Sequence, residues 1–406
     1  MAVTIDEAME IIYSSKFNRV RQTIPIELAI SRVISSDIVA KLSLPLFNNS
    51  AMDGYAIIEN HNNYEQIDTI FAGDNRDLSI ENNQTMKIMT GAKVPANATA
   101  ILPIEDVSVD NKTITPTKAI KPQQHIRFMG EDIAKNSTII ESGTLLNAHH
   151  IALLASQGIT HIEVFQKPRI AIFASGDELK MHYEDLESAQ LYNTNAPTLY
   201  ARALELGCDV VITKSPHDSK ESIKNSIKDS LGADIIITTG GVSVGDADFT
   251  KAAFSELGFN ALFEGVDIKP GKPTSMARLD DTIVLNLPGN PLAMALCFEL
   301  FGVSLIMMQS GRADRYINPV KTTMASESRF KKGKYSMILG YFDGESFSAN
   351  TTASPGMVLP QSIANSFIII NKDVDILCSG DSVNIISLRY NFGSKIEKNL
   401  ITKGNK

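Results

Sequence analysis

A glycine-rich segment that follows an apolar run carries the strongest chemical signal in this chain. The segment IIITTGGVSVGDADFT occupies residues 235–250 and places Gly240, Gly241 and Ser243 before a helix that begins at Asp246 or Asp248. Glycine lets the backbone approach a ligand closely, and free N–H groups beside a helix N-terminus favour phosphate. The spacing matches neither a Walker A loop nor GxGxxG. A phosphate-binding turn is therefore favoured over the alternative, a tight turn with an aspartate cap.

Two lysines form a second candidate anion site in IKPGKPTSM, residues 268–276. Lys269 and Lys272 flank a Pro-Gly pair, which makes a stiff loop that can direct two ammonium groups at one oxyanion. Lysine commonly binds phosphate-like groups as a point charge. An exposed basic turn is the alternative from this segment alone.

Two further segments place polar or rigid residues at predicted strand ends. In LNLPGNPLAMAL, Pro288 and Pro291 bracket a Gly-Asn pair just before a helix, although a plain strand–helix loop has the same pattern. In FASGDEL, Asp177 and Glu178 follow the first apolar strand of the same region. A carboxylate at that position faces the crevice of a parallel sheet, whereas elsewhere it is usually a solvated surface charge.

Strands and helices alternate between Arg169 and Ser310, and this alternation positions all four segments. The apolar strands RIAIFAS, DVVIT, ADIIITTGG and TIVLNLP are separated by helices that end in glycine or turn residues. Such alternation predicts βαβ units, a parallel sheet and an αβα sandwich. Right-handed crossovers place the ligand crevice at the carboxyl ends of the strands.

The rest of the chain has a different texture. A helix with a capping box at Thr4 and Glu7 opens the sequence, and short apolar segments between turns predict a small β-rich module over 42–133. Residues 136–167 return to the first domain, and the chain becomes β-rich again from Asn318, as in a separate small barrel.

Composition narrows the class of protein. The chain has 406 residues, a length that predicts two to four domains. Its net charge of −8 argues against a nucleic-acid binder. We expect no membrane span, because no apolar run approaches roughly 18 residues. The acidic N-terminus is not a secretory signal, and three distant cysteines do not form a disulfide framework. These features predict a cytoplasmic protein, and the lack of HExxH and CxxC motifs gives no indication of a zinc or redox site.

Six segments in this order identify the chain as similar to a known family. AMDGYA, MTGAxVP, SGDEL, TTGGVSVGD, KPGKP and LPGNP together resemble the molybdopterin molybdenumtransferases, the MoeA family, which includes the E-domain of gephyrin. The resemblance covers nearly the whole chain and implies a multidomain α/β and β fold. The implied domains are a linker domain (1–41 and 134–167), a small β domain (42–133), a molybdopterin-binding αβα domain (168–315) and a C-terminal β barrel (316–406).

The resemblance also implies a reaction and its site residues. The family inserts molybdate into adenylylated molybdopterin and releases AMP, in a homodimer whose active site is shared between subunits. The matching catalytic positions are Asp53, Thr90, Glu178, Asp218 and Asp248. The matching substrate-binding positions are Arg127, Asp132, Gly240, Gly241, Ser243, Lys269, Lys272, Pro273, Pro288, Pro291, Lys334 and Ser354. Asp218 and Asp248 can hold Mg²⁺ for phosphoanhydride cleavage.

Four positions depart from the family pattern, and two other functions are weighed beside the transferase. Ala293 replaces a serine, Lys334 an arginine and Gly265 a lysine, while Ser354 is offset by one residue. The alternatives are a non-catalytic molybdopterin-binding scaffold and the related molybdopterin adenylyltransferase, which resembles the sheet domain alone. Molybdopterin adenylyltransferase and molybdoenzyme maturation proteins are further candidate partners.

Overall fold

The structure is a computed structural model that describes residues 2–176, 178–213, 220–240 and 253–388. Five candidate site positions lie outside these described residues. They are Asp177, Asp218, Gly241, Ser243 and Asp248.

The central domain is built on one six-stranded sheet, which we call the main sheet. In spatial order its strands are Asp209–Ile212, Arg169–Ala174, Ile235–Thr239, Thr282–Leu287, Ser275–Leu279 and Asn260–Glu264. The first four run parallel, and Ile235–Thr239 is buried along its whole length because both faces are covered. The predicted αβα sandwich is confirmed.

The last two strands of the main sheet add an antiparallel edge to the four predicted parallel strands. Ser275–Leu279 pairs antiparallel with Thr282–Leu287, and Asn260–Glu264 pairs antiparallel with Ser275–Leu279. Only Asp280 and Asp281 join the first pair, and Asp280 has a φ of 49°. A two-residue turn can connect only antiparallel neighbours, so the periodic apolar pattern alone could not predict the direction.

Helices cover the main sheet and draw the N-terminus into its core. The helical segments of this domain include Ile5–Ser14, Asn195–Glu205, Lys220–Asp229, Pro291–Cys297, Phe298–Gly302 and Val303–Gln309. The predicted capping box is confirmed, since the Glu7 amide donates to Thr4 Oγ1 and the Thr4 amide donates to the Glu7 carboxylate. Ala8 and Ile12 of that helix lie fully buried in the core of the main sheet.

One helix contradicts the expectation that no apolar run is long enough to cross a bilayer. The stretch Pro291–Gln309 is 19 residues long, and its length and composition would allow a membrane span. It is instead a core helix, because 72% of its most apolar window is buried inside the protein.

The N-terminal half consists of a narrow linker and a small β domain. Two antiparallel ladders build the linker, Arg21–Pro25 with His161–Phe165 and Ile38–Val39 with Thr138–Ile140, and the helix Ala148–Ser156 packs beside them. The sheet of the small β domain contains, in spatial order, Ala100–Pro103, Gly54–Ile57, Gln84–Ile88, Tyr64–Ile70, Thr113–Pro116 and Val107–Asp110. A short antiparallel ladder pairs Asn49–Ser50 with Ile126–Arg127, so the segments that enter and leave this domain lie side by side.

The C-terminal domain is a closed five-stranded barrel, as the sequence predicted. Around the barrel its strands are Tyr335–Phe342, Ser346–Ala349, Val320–Met324, Ser382–Ser387 and Ser366–Ile370, the last of which pairs with the first. A sixth short strand, Ile268–Lys269, comes from the central domain and pairs in parallel with Tyr335–Phe342. This pairing fixes the KPGKP segment at the junction of the two domains.

Candidate active site

Three turns meet at the carboxyl ends of the parallel strands. The Ser175 amide donates to the Thr239 carbonyl at 3.0 Å, so the strands Arg169–Ala174 and Ile235–Thr239 end side by side. Gly240 has a φ of 88°, and a Cβ there would lie 2.3 Å from the Ser175 carbonyl oxygen. A Cβ on Gly289 would lie 3.4 Å from the Gly240 Cα. Glycine at position 240 is therefore required by both conformation and space, and the backbones of Gly240 and Gly289 come together.

A buried asparagine that the sequence did not single out ties these turns together. The Thr239 hydroxyl donates to the Pro288 carbonyl at 2.8 Å. Asn195 Nδ2 donates to Thr239 Oγ1 at 2.9 Å and to the Gly289 carbonyl at 2.7 Å. Asn195 begins the helix Asn195–Glu205, and the only sequence signal for it was a polar LYNTN segment ahead of a helix.

Glu178 lies at the same edge of the main sheet and is exposed. Its carboxylate folds back over Gly176, where an added Cβ would lie 2.8 Å from Glu178 Oε2. Its carbonyl accepts from the Leu191 amide at 2.9 Å. This bond holds the segment after Arg169–Ala174 against the strand Leu191–Tyr192. A carboxylate thus stands beside the strand ends.

The KPGKP segment contributes to a cationic cleft between the central domain and the barrel. The cleft has a volume of about 220 Å³. Its cationic and polar lining residues are Lys269, Arg329, Lys331, Ser336, Asn350 and Thr351. The Leu292 amide donates to the Pro355 carbonyl at 2.9 Å, so the helix that starts at Pro291 also contacts the barrel here. Lysine, arginine and hydroxyl groups around such a volume suit a small oxyanion.

The other residues predicted for this region lie around the cleft. Lys272 and Pro273 are exposed at the outer part of the loop, where the Lys272 carbonyl accepts from the Val266 amide at 3.0 Å. Lys334 precedes the lining residue Ser336 by two positions, and Ser354 stands between Ala353 and Pro355, both of which line the cleft.

The structure gives a physical reason for one departure from the family pattern. Gly265 has a φ of 100°, and a Cβ there would lie 3.1 Å from the Lys272 carbonyl oxygen. A lysine would be strained at this position, so the change to glycine agrees with the local backbone. Ala293, where many members have serine, is 3% exposed in the core.

The predicted residues of the N-terminal half form a separate group on the small β domain. Asp53 Oδ1 accepts from both the amide and the hydroxyl of Thr90, each at 2.7 Å. These two hydrogen bonds lower the pKa of Asp53, and the bond from the Thr90 amide has the larger effect. The carboxylate is therefore kept ionised and fixed in direction.

Arg127 and Asp132 lie on the segment that leaves the small β domain. Arg127 Nε donates to Glu131 Oε1 at 2.9 Å, and the Asp132 amide donates to the Leu44 carbonyl at 3.0 Å. The Met129 amide donates to Asn48 Oδ1 at 2.9 Å, which links this segment to the one before Asn48. These two segments bear four exposed apolar side chains, which we call the entrance patch: Leu46, Phe47, Phe128 and Met129.

Both predicted metal ligands, Asp218 and Asp248, lie outside the described residues. Among the residues that the structure does describe, no group of three or more His, Cys, Asp or Glu side chains could hold a metal ion.

The fold and the site define a multidomain protein with a molybdopterin-binding domain. Residues 3–158 match the family of the MoeA N-terminal region, domains I and II, and residues 171–307 match the probable molybdopterin-binding domain. A curated relative from Staphylococcus epidermidis, molybdopterin molybdenumtransferase, is 32% identical over 80% of this chain and 80% of its own length. The chain belongs to the molybdopterin molybdenumtransferase (MoeA) family.

A second relative and a solved structure extend the match over the whole chain. The molybdopterin molybdenumtransferase of Haemophilus influenzae is 29% identical over 96% of this chain and 100% of its own length. The crystal structure of a molybdopterin biosynthesis MoeA protein from Pyrococcus horikoshii is 26% identical, with a TM-score of 0.82. It covers 96% of this chain and 100% of that one. The predicted family and multidomain fold are confirmed.

Proposed function

We propose that this protein inserts molybdate into the dithiolene of adenylylated molybdopterin and releases AMP, forming molybdenum cofactor. The observation that carries the proposal is the position of the KPGKP segment, which joins the anion-binding strand ends to the cationic cleft of the barrel. The TTGG and LPGNP turns offer close backbone approach to a phosphorylated ligand, and the cleft offers cations to a tetrahedral oxyanion. Curated relatives named for this activity match along nearly the whole chain.

We assign molybdate to the cleft and the adenylylated pterin to the strand ends. Lys269 is central to this division, because it pairs with Ser336 in the sheet and also lines the cleft. Ser336 and Thr351 add hydroxyl groups to the same wall. A lysine charge stabilises an oxyanion, and hydroxyl donors direct its oxygens.

We propose Mg²⁺ as the divalent ion, with Asp218 and Asp248 as its protein ligands. Carboxylate oxygens are the ligands that Mg²⁺ prefers, and the bound ion would neutralise charge on the phosphoanhydride that is cleaved. The Asp218→Asn and Asp248→Asn variants are expected to need more Mg²⁺ for half-maximal AMP release than the native chain does. An unchanged Mg²⁺ dependence in both variants would remove this assignment.

We propose that the active unit is a homodimer in which the small β domain of one subunit completes the site of the other. Asp53 and Thr90 are hydrogen bonded to each other on the small β domain, whereas the anion-binding turns lie on the central domain. The entrance patch supplies exposed apolar side chains on the same small β domain, as expected of a protein interface. A twofold dimer would form two such sites symmetrically.

The reaction is tested by incubating the protein with adenylylated molybdopterin, with and without molybdate. Molybdate-dependent AMP release supports the transferase. Tight binding of the adenylylated pterin without any AMP release would favour the scaffold function. Formation of adenylylated molybdopterin from molybdopterin and ATP would favour the adenylyltransferase.

Subunit exchange tests the shared site. An inactive Asp53→Asn chain is mixed with an inactive Asp248→Asn chain, and heterodimers are verified by native mass spectrometry. If sites form between subunits, one of the two sites in each heterodimer has only native residues and activity returns. Heterodimers that remain inactive would show that each subunit builds its own site.

We also propose the cytoplasm as the compartment, because the relatives are bacterial enzymes of cofactor synthesis and the long apolar stretch Pro291–Gln309 is a core element. Molybdopterin adenylyltransferase and molybdoenzyme maturation proteins remain the candidate partners that would supply the substrate and receive the product.

A further inference from the structure

Asn195 is a buried side chain that connects the two ligand turns across long stretches of sequence. It is 6% exposed and sits where the strand Ile235–Thr239 and the strand Thr282–Leu287 end. Its Nδ2 bonds reach Thr239, 44 residues away, and Gly289, 94 residues away. Thr239 joins the two turns through its own hydroxyl, and Asn195 is hydrogen bonded to both from a third segment, the helix Asn195–Glu205.

The hydrogen-bond pattern fixes the orientation of this amide. The single hydroxyl proton of Thr239 is donated to the Pro288 carbonyl, so Thr239 Oγ1 can only accept from Asn195. The Gly289 carbonyl is also an acceptor. The group that faces both must be the NH₂ group, and a carboxylate in its place would direct lone pairs at two acceptors.

The opposite side of the amide has no partner among the described residues. Asn195 Oδ1 is buried and accepts no hydrogen bond from the residues that the structure describes. A buried carbonyl oxygen without a donor costs free energy, so its retention beside ligand-binding turns needs a reason. An N–H or O–H donor on the bound ligand, or a water that the ligand orders, would satisfy it.

We infer that Asn195 is a positioning residue for binding of the adenylylated ligand. Its NH₂ group holds the Thr239–Gly240 turn and the Pro288–Gly289 turn at the separation that the ligand requires. Its Oδ1 is satisfied when the ligand is bound. The inference rests on the proposed function and adds to it a residue that acts through the backbone of the two turns.

The test compares two isosteric substitutions at buried asparagines, Asn195→Asp and Asn286→Asp. Asn286 is the matched control, because it is 4% exposed, accepts from Thr238 Oγ1 and donates to Ser275 Oγ at 3.0 Å. Asn286 thus bonds to the strands on both sides of its own, within the sheet and before the residues that form the two turns. Thermal unfolding, calorimetric AMP affinity and the KM and kcat for adenylylated molybdopterin are measured for both variants and the native protein.

We expect both variants to lose similar thermal stability, and only Asn195→Asp to lose ligand affinity. Loss of two donor bonds corresponds to about a tenfold rise in the AMP Kd, with a matching rise in KM. The affinity of Asn195→Asp relative to the native protein should recover as the pH falls, because a protonated carboxyl regains one donor.

Three results would overturn the inference. Asn195→Asp could bind AMP as the native protein does, or both variants could lose affinity equally, which would indicate general damage to the sheet. A native protein that binds neither AMP nor adenylylated molybdopterin would remove the proposed function itself and the inference with it. Asn195→Ala is measured in parallel, so that poor folding of the aspartate variant does not leave the comparison undecided.

Discussion

Gly240→Ala should lower both the stability and the activity of the protein. A matched control, Gly207→Ala, separates the effect of the close contact at Gly240 from the effect of its backbone conformation. Gly240 and Gly207 have φ values of 88° and 81°, so alanine is strained at both. A Cβ at Gly240 would meet the Ser175 carbonyl oxygen at 2.3 Å, whereas one at Gly207 would have its nearest neighbour, the Ser31 carbonyl oxygen, at 3.7 Å.

The expected losses in the free energy of unfolding follow from the backbone conformation and from the close contact. A left-handed conformation costs a residue with a side chain roughly 1–2 kcal/mol. Forcing an atom into a filled space adds about 1–3 kcal/mol, because the backbone must shift. The free energy of unfolding should therefore fall by about 3 kcal/mol in Gly240→Ala and by about 1 kcal/mol in Gly207→Ala. For a domain of this size, about 1 kcal/mol lowers the Tm by roughly 2–4 °C.

Thermal unfolding followed by circular dichroism measures the stability difference, and AMP release at a temperature where both variants are folded measures function. Gly240→Ala should release AMP far more slowly, because its shifted turn no longer fits the ligand. Gly207→Ala should keep near-native activity. Equal losses of Tm in the two variants, or native activity in Gly240→Ala, would refute the close-contact reasoning.

Three more predictions concern single side chains. Lys269→Ala should raise the molybdate concentration needed for half-maximal AMP release more than it raises the Kd of the adenylylated pterin, and an unchanged molybdate dependence would refute the oxyanion assignment. Asp53 has a lowered pKa, so its stabilising effect is present above the ordinary carboxyl pKa and lost as the pH falls through the folded value. Thr90→Val should raise that pKa in a carboxyl ¹³C NMR titration, and an unmoved pKa would show that the amide bond alone sets it. Burial raises the pKa of Cys297 to about 12, whereas Cys378 is exposed, so iodoacetamide at pH 8 should label the native protein at Cys378 and leave the two buried cysteines unlabelled until it unfolds.

The sequence predicted the layers of the central domain because local patterns determine them. The apolar run at Ile235–Thr239 and the glycine that follows it require a buried strand and a turn, whatever their neighbours are. The capping box at Thr4 and Glu7 is also a local device, and it formed as predicted.

Features that depend on residues far apart in the sequence could not be predicted from local patterns. Asn195 acts on positions 44 and 94 residues away, and nothing in LYNTN distinguishes it from an ordinary helix start. The cleft takes Ser336 and Thr351 from barrel strands and loops whose packing sets which side chains face the KPGKP segment. The antiparallel edge of the main sheet depends on a two-residue turn at Asp280 rather than on hydrophobic periodicity.

The measurement that tests the central claim most directly is the stoichiometry of a single turnover. Purified protein is loaded with adenylylated molybdopterin, molybdate is added, and AMP is quantified by chromatography while pterin-bound molybdenum is quantified by mass spectrometry. The account predicts that both products appear together in a ratio of about one to one, because cleavage and insertion are parts of one reaction. AMP release without pterin-bound molybdenum, or at the same rate without molybdate, would contradict it.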